Sequence, residues 1–276
     1  MAVHTFGRTR PSAARKEPIS TARLQVGHDP TVAAASPGGW WAWLQALFGE
    51  AKGRLAGASL LLAGALLVEA AALWFFGDLA GEVMEGDTQS LDQGIYQFLR
   101  SFASPSRDEF ARLISAMGSE VVALLLVVIT AYFLVRRRWG AAVSLVLVTG
   151  GAQLLNDVLK DHFRRTRPVA VPSFIHAQTW SFPSGHAMVS AAFYLFLIYV
   201  GWRLLRGAGR WAWVLTLSAL VLLIGLSRMY LGAHYLTDVV AGYAAGAAWT
   251  VAVILAGRAL VVHRLEIRNG TADEGR

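Results

Sequence analysis

The feature that most constrains this chain is a series of long apolar runs. Six stretches, at about residues 56–76, 119–135, 139–158, 185–202, 211–227 and 235–257, carry almost no charge. A helix rises 1.5 Å per residue, so about 20 apolar residues cross a hydrocarbon core roughly 30 Å thick. The spacing predicts an all-α fold, a polytopic membrane helical bundle with six transmembrane helices. Composition agrees, with 55% hydrophobic and 16% charged residues against about 45–50% and 25% in soluble domains. A disordered, fibrous or nucleic-acid-coating chain is excluded on that ground.

Organisation follows from where the polar residues fall. Residues 1–39 are rich in Ala, Ser, Pro and Arg without periodicity and read as a disordered tail. Trp40, Trp41, Trp43, Leu44, Leu47 and Phe48 precede Lys52 and Arg54. They suit either a helix in the headgroup zone or an extension of the first span. We expect a cytoplasmic tail with this interfacial helix over 1–55, the six-helix membrane domain over 56–258, and a second cytoplasmic tail over 259–276. The first apolar run begins late and is too long for a signal peptide. With no cysteine there is no disulfide, thiolate metal site or thiol nucleophile.

The net charge of +7 raises the question of a nucleic-acid partner, but its distribution answers it. Arg136, Arg137 and Arg138 lie between the second and third runs, and Arg203, Arg206 and Arg210 between the fourth and fifth, with no acid in either connector. Residues 77–118 instead hold seven acids (Asp78, Glu82, Glu85, Asp87, Asp92, Asp108, Glu109) against three arginines. Basic loops stay inside. Both termini are therefore expected in the cytoplasm, 77–118 outside, and no nucleic acid as partner. Within 91–117, the spacing of Ile95, Phe98, Leu99 and Phe102, then Phe110, Leu113 and Ile114, predicts two short helices capping the outer face.

Two places break the charge rule, and both fall outside. Lys160, Arg164, Arg165 and Arg167 crowd an outer connector, and Arg228 ends the fifth span. Cations there are costly and point to function; an anionic ligand at the outer face explains both. Pro183-Ser184-Gly185-His186 opens the fourth span as a helix start, whose free first-turn N–H groups suit an anion. Ordinary capping by Ser184 is the plainer reading of that segment alone. His234 and Asp238 stand four apart at the next helix start, so they share a face. A carboxylate there can fix the imidazole tautomer and leave the other nitrogen nucleophilic, although a capping Asp beside an incidental His fits the same spacing. His186, His234 and Asp238 could also ligate a metal, but the surrounding cations suit an oxyanion better.

Taken together, Lys160-x6-Arg167-Pro168, Pro183-Ser184-Gly185-His186 and Ser227-Arg228-x5-His234-x3-Asp238 form an ordered three-part set. The set resembles the signature of the type-2 phosphatidic acid phosphatase superfamily. The resemblance implies phosphate-binding roles for Lys160, Arg167, Ser184, Gly185 and Arg228. It also implies His234 as the nucleophile that becomes phosphohistidine, Asp238 as its orienting group and His186 as the general acid, with no metal and no other cofactor. The expected partner is a membrane lipid phosphate in the bilayer. Candidates are undecaprenyl diphosphate, phosphatidylglycerol phosphate or phosphatidic acid, cleaved at the outer side of a bacterial cell membrane. A lipid phosphotransferase and a non-catalytic lipid-binding or transport protein are the alternatives.

Quieter expectations complete the reading. Arg164 and Arg165 fall outside the signature and are expected to be headgroup contacts or solvated charge. His162 and His176 are expected to be ordinary loop residues. The apolar stretch 169–182, with Phe174, Trp180 and Phe182, is expected at the outer interface. Gly242-x3-Gly246 is expected to pack against a neighbouring span of the same chain rather than a second copy.

Overall fold

The computed structural model describes residues 55–168 and 180–273, with side chains over 62–168 and 180–260. The expected N-terminal tail, the interfacial helix at 40–54, Phe174 and His176 lie outside the described residues. Eight helices follow in order among those described: α1 (Leu55–Glu85), α2 (Gln89–Ser101), α3 (Pro105–Ala116), α4 (Glu120–Val135), α5 (Trp139–Phe163), α6 (Gly185–Leu204), α7 (Gly207–Tyr230) and α8 (Leu236–Asp273). Six segments are long and apolar enough to cross a membrane: Leu62–Glu85, Pro105–Val135, Trp139–Phe163, Gly185–Leu204, Gly207–Tyr230 and Leu236–Leu260. The chain is a multi-pass helical membrane protein, as the apolar runs predict.

The boundaries differ from the sequence expectation in ways that matter for the site. α1 continues past Asp78 because Ala80 and Val83 bury themselves beside Phe182 and Ala241. The second segment is two helices broken at 117–119. A Cβ on Gly118 would stand 2.6 Å from Ile224 Cγ2, so only glycine lets this turn press on α7. The Tyr194 hydroxyl donates to the Met117 carbonyl at 2.7 Å and ties the same turn to α6. α5 runs on to Phe163, which puts Lys160 and His162 in its last turn rather than in a loop. Cations there complement the negative end of the helix dipole, and Arg164 closes the helix in the left-handed conformation.

α6 is the central helix. Its Val189, Ala191, Ala192, Phe193, Tyr194 and Phe196 are buried in one core with Val122 of α4, Leu145, Val148 and Ala152 of α5, and Leu217, Val221 and Ile224 of α7. α8 approaches α6 more closely than side chains would permit. A Cβ on Gly242 would lie 2.7 Å from the Ser184 carbonyl, and one on Gly246 would lie 2.4 Å from the Met188 carbonyl. The small-x3-small stripe therefore packs within the chain, as expected. Small residues let helix backbones close on each other where lipid offers no hydrophobic driving force.

The two short helices form as their spacing predicts. Ser104 accepts a hydrogen bond from Arg107 N at 3.4 Å, and Pro105 occupies the first turn of α3. The pair is held to the end of α7 by Arg100 Nη1, which donates to the Tyr230 carbonyl at 3.3 Å. One expectation fails: Phe182 is not at the interface but fully buried. Its ring packs on Phe163 at 5.1 Å and Phe76 at 5.9 Å. The cause is its place just before α6, where Ser181 N donates to the Arg165 carbonyl and Ser184 N to the Asp238 carbonyl. These bonds pin the strand of chain inward. Trp180 stays partly exposed.

Candidate active site

The site is built where α6 and α8 begin. Ser184 is extended, and its hydroxyl accepts from Ala187 N at 3.5 Å, so the plain capping reading of this serine holds. A hydroxyl that accepts one bond can still donate its proton. Ser184 N also donates to the Asp238 carbonyl at 2.9 Å, which locks the two helix starts together. Asn156, fully buried on α5, donates to the Pro183 carbonyl at 3.2 Å and holds the approach to α6. A Cβ on Gly185 would stand 2.9 Å from Asn156 Oδ1 and 3.6 Å from Lys160 Nζ. Glycine leaves that narrow space open.

At the start of α8, Gly232 turns the chain at φ +71°, and Asp238 Oδ2 accepts from Tyr235 N at 3.0 Å. The same oxygen lies 3.4 Å from His234 Nδ1. Asp238 thus caps the helix and faces the imidazole at once. On the other side of the ring, Arg167 Nη1 lies 3.2 Å from His234 Nε2 while donating to the Ala233 carbonyl at 2.7 Å. A guanidinium can only donate, so Nε2 carries the lone pair and the ring proton belongs on Nδ1, toward Asp238. Burial pushes His234 well below the ordinary imidazole value, and the charges of Arg167, Arg228 and Lys160 push it further.

Lys160, Gly185 and His186 line one cavity of about 630 Å³, with Asn156, Ser119 and Glu120 around them and Val122, Ala123, Leu126, Thr149 and Gly150 deeper along α4 and α5. Arg228, in the last turn of α7, donates to Ser115 Oγ at 2.8 Å, and its charge reaches His234. Of the eight residues singled out by the sequence, Lys160, Gly185 and His186 line this cavity, while Arg167, Arg228, His234, Asp238 and Ser184 adjoin them through the contacts and charges just described.

Arg165 corrects the sequence reading. Arg164 is exposed, as expected, but Arg165 is neither solvated nor a headgroup contact. Its side chain is only 9% exposed and lies 2.6 Å from both Asp238 Oδ1 and Asp92 Oδ2. Burial opposes its charge, but the two carboxylates outweigh burial and hold it more firmly protonated than a free arginine. Its guanidinium also lies 4.5 Å from the centre of the Tyr235 ring. Asp92, counted in the sequence as one more outer acid, is fully buried. Neither residue carried a local signal, because the bonds of Arg165 reach 73 residues in both directions.

The starts of α6 and α8 thus gather cations, two imidazoles and a carboxylate in one region of a helical membrane bundle, with Lys160 and His186 lining a cavity beside it. The PAP2 superfamily profile matches residues 141–260. The chain is 34% identical over 176 residues to phosphatidylglycerophosphatase B of Bacillus subtilis, a match covering 62% of this chain and 86% of that protein. The chain belongs to the PAP2 superfamily and is a multi-pass membrane phosphatase. It also resembles the lipid A 4'-phosphatase of Rhizobium leguminosarum, at 32% identity over 35% of this chain and 46% of that one. Among solved structures, the transmembrane PAP2-type phosphatidylglycerolphosphate phosphatase of Bacillus subtilis superposes with a TM-score of 0.62 at 30% identity, covering 67% of this chain and 93% of that one.

Proposed function

We propose that the chain hydrolyses the phosphomonoester or diphosphate of a lipid in the outer leaflet, through a phosphohistidine on His234. The observation that carries the reading is the pairing of His234, with Nδ1 toward Asp238 and Nε2 beside Arg167. Phosphoryl transfer needs mainly positioning and stabilisation of charge on the equatorial oxygens. Lys160, Arg167, Arg228 and the first-turn N–H groups of α6 supply that charge, with Ser184 as a hydroxyl donor.

The reaction runs in two steps. His234 Nε2 attacks phosphorus, the bond from phosphorus to the lipid oxygen breaks, and His186 gives that oxygen its proton. His186 then takes a proton from water as the water oxygen attacks phosphorus. The N–P bond breaks, phosphate leaves and His234 returns to its neutral form. Three fixed cations do the neutralising work that a divalent ion does elsewhere, so the reaction is metal-independent.

Charge distribution favours the outer side for this site, with both termini in the cytoplasm, because the arginine-only connectors lie at the opposite ends of the spans. The relatives suggest phosphatidylglycerol phosphate as the first substrate to try, with undecaprenyl diphosphate, phosphatidic acid and lipid A beside it. The test is phosphate release by purified protein from this panel in detergent with EDTA, compared with His234→Ala. We expect release that EDTA leaves unchanged, that vanadate inhibits and that His234→Ala abolishes. Activity surviving His234→Ala would overturn the nucleophile, and activity lost to EDTA would overturn the metal-free step.

A further inference from the structure

We propose that Asp92 and Arg165 are positioning residues for the reaction, acting on His234 through Asp238; the inference rests on the phosphohistidine reading above. Asp92 belongs to α2, which is not among the six segments long enough to span, and lies 145 residues before its partner on α8. It is fully buried. Its Oδ1 accepts from Thr237 N at 3.1 Å and its Oδ2 from Thr237 Oγ1 at 2.6 Å. Its Oδ2 also accepts from Arg165 Nη2 at 2.6 Å. The other arm of the same guanidinium, Nη1, donates to Thr237 Oγ1 at 2.7 Å and to Asp238 Oδ1 at 2.6 Å. Asp238 Oδ2 is then left for Tyr235 N and His234 Nδ1.

The order of contacts explains why two acids are needed. A carboxylate free to turn about its last bond would present either oxygen, or both, to the nearest cation. Arg167 lies beside the same imidazole and could compete for it. Arg165 takes one oxygen of Asp238 and fixes the plane of the carboxylate, which directs the other oxygen at the ring. Alone, a buried guanidinium with a single partner would be costly and could pull Asp238 off His234. Asp92 takes its second arm, and the Tyr235 ring takes its face. With both arms engaged, Arg165 is not available to the substrate, unlike the signature cations Lys160, Arg167 and Arg228.

That difference gives the proposal its signature. Removing an outer partner that orients a metal-ligating histidine commonly costs 10–100-fold, and a loss on the same order is expected for this orienting pair. Arg165→Lys and Asp92→Asn, which keep size and polarity, should lower kcat by about that factor while leaving KM and inhibition by vanadate nearly unchanged. In an Asp238→Asn background the same two substitutions should cost no further activity, because the group they act through is already gone. Thermal unfolding of each detergent-solubilised variant, with and without vanadate, gives the folded fraction to which kcat is referred.

A KM and a vanadate inhibition constant that rise in step with the loss of kcat would make Arg165 a direct phosphate ligand and overturn the proposal. Losses that simply multiply with Asp238→Asn would overturn it too. So would a lowered unfolding temperature with unchanged kcat per folded molecule, which is the mark of a structural ion pair. If His234→Ala keeps its activity and Asp238→Asn loses none, the phosphohistidine reading fails instead, and the two failures are thereby distinguished.

Discussion

Arg167 Nη1 stands 3.2 Å from His234 Nε2, so a permanent cation faces the nitrogen that the proposed mechanism needs unprotonated. Protonating His234 would bury a second positive charge against the first. Burial and the charges of Arg167, Arg228 and Lys160 all lower its pKa, and the neutral form persists as the pH falls through the ordinary imidazole range. Activity should drop only when the pH passes the lowered value. The acid limb of kcat/KM, after the substrate's own second phosphate ionisation near 6 is divided out, should lie below about 6.5. A limb at or above that value would contradict the arrangement.

The two faces of the site should fail differently. Asp238→Asn keeps a carbonyl for Tyr235 N but can place an amide toward His234 Nδ1, so we expect a loss of about 10²–10⁴-fold, the upper end being the effect of a wrong histidine tautomer in another triad. His186→Ala should cost at least ~10²-fold, and less for a good leaving group such as p-nitrophenol, which needs no acid. Equal loss for both leaving groups would remove His186 from that role.

Stability should depend on the seam between α6 and α8. Gly246→Ala places a methyl 2.4 Å from the Met188 carbonyl, and overpacking of this kind costs about 1–3 kcal/mol. Gly64→Ala on α1 is the control, since a Cβ there meets nothing within 4 Å. It should be neutral or stabilise by up to about 1 kcal/mol. Thermal unfolding in detergent separates the two, and an unaffected Gly246→Ala would mean that the helices do not approach so closely.

Asn156 carries a parallel expectation. Asn156→Leu leaves the Pro183 carbonyl buried without its donor, a loss of about 1–3 kcal/mol. It also loosens the approach to Gly185, so vanadate should inhibit more weakly. Vanadate titration of wild type and variant checks this, and equal inhibition would show that the start of α6 needs no such anchor.

How much of this was readable from the chain depends on the range of the signal. The spans were legible because twenty apolar residues in a row are a local fact. Lys160, Arg167 and Arg228 stood out because they fall where the charge pattern of the other connectors predicts the outer side, which the orientation rule makes poor in cations. His234 and Asp238 sit one helical turn apart, and that spacing alone puts them on one face. Arg165 was misread because nothing within several residues of it reveals a partner. Asp92 was one acid among seven in a segment whose charge had already been explained by topology. Phe182 misled for a related reason, since aromatic residues in an apolar connector look interfacial until the bonds of Ser181 and Ser184 turn the chain inward. Helix ends erred wherever a late turn was stabilised by its surroundings, as at the end of α5.

Every signature residue lies between Lys160 and Asp238, on α5 through α8 and their connectors. The wall of the cavity is shared with α4, whose Glu120, Val122, Ala123 and Leu126 line it beside Lys160 and His186. On the proposed reading, the residues that carry the reaction and part of the wall beside them come from different lengths of the chain. A change confined to α4 is then expected to alter which headgroup or tail fits, while His234, Asp238 and the three cations keep their places. A laboratory exchange of that helix between relatives is the corresponding route to new specificities.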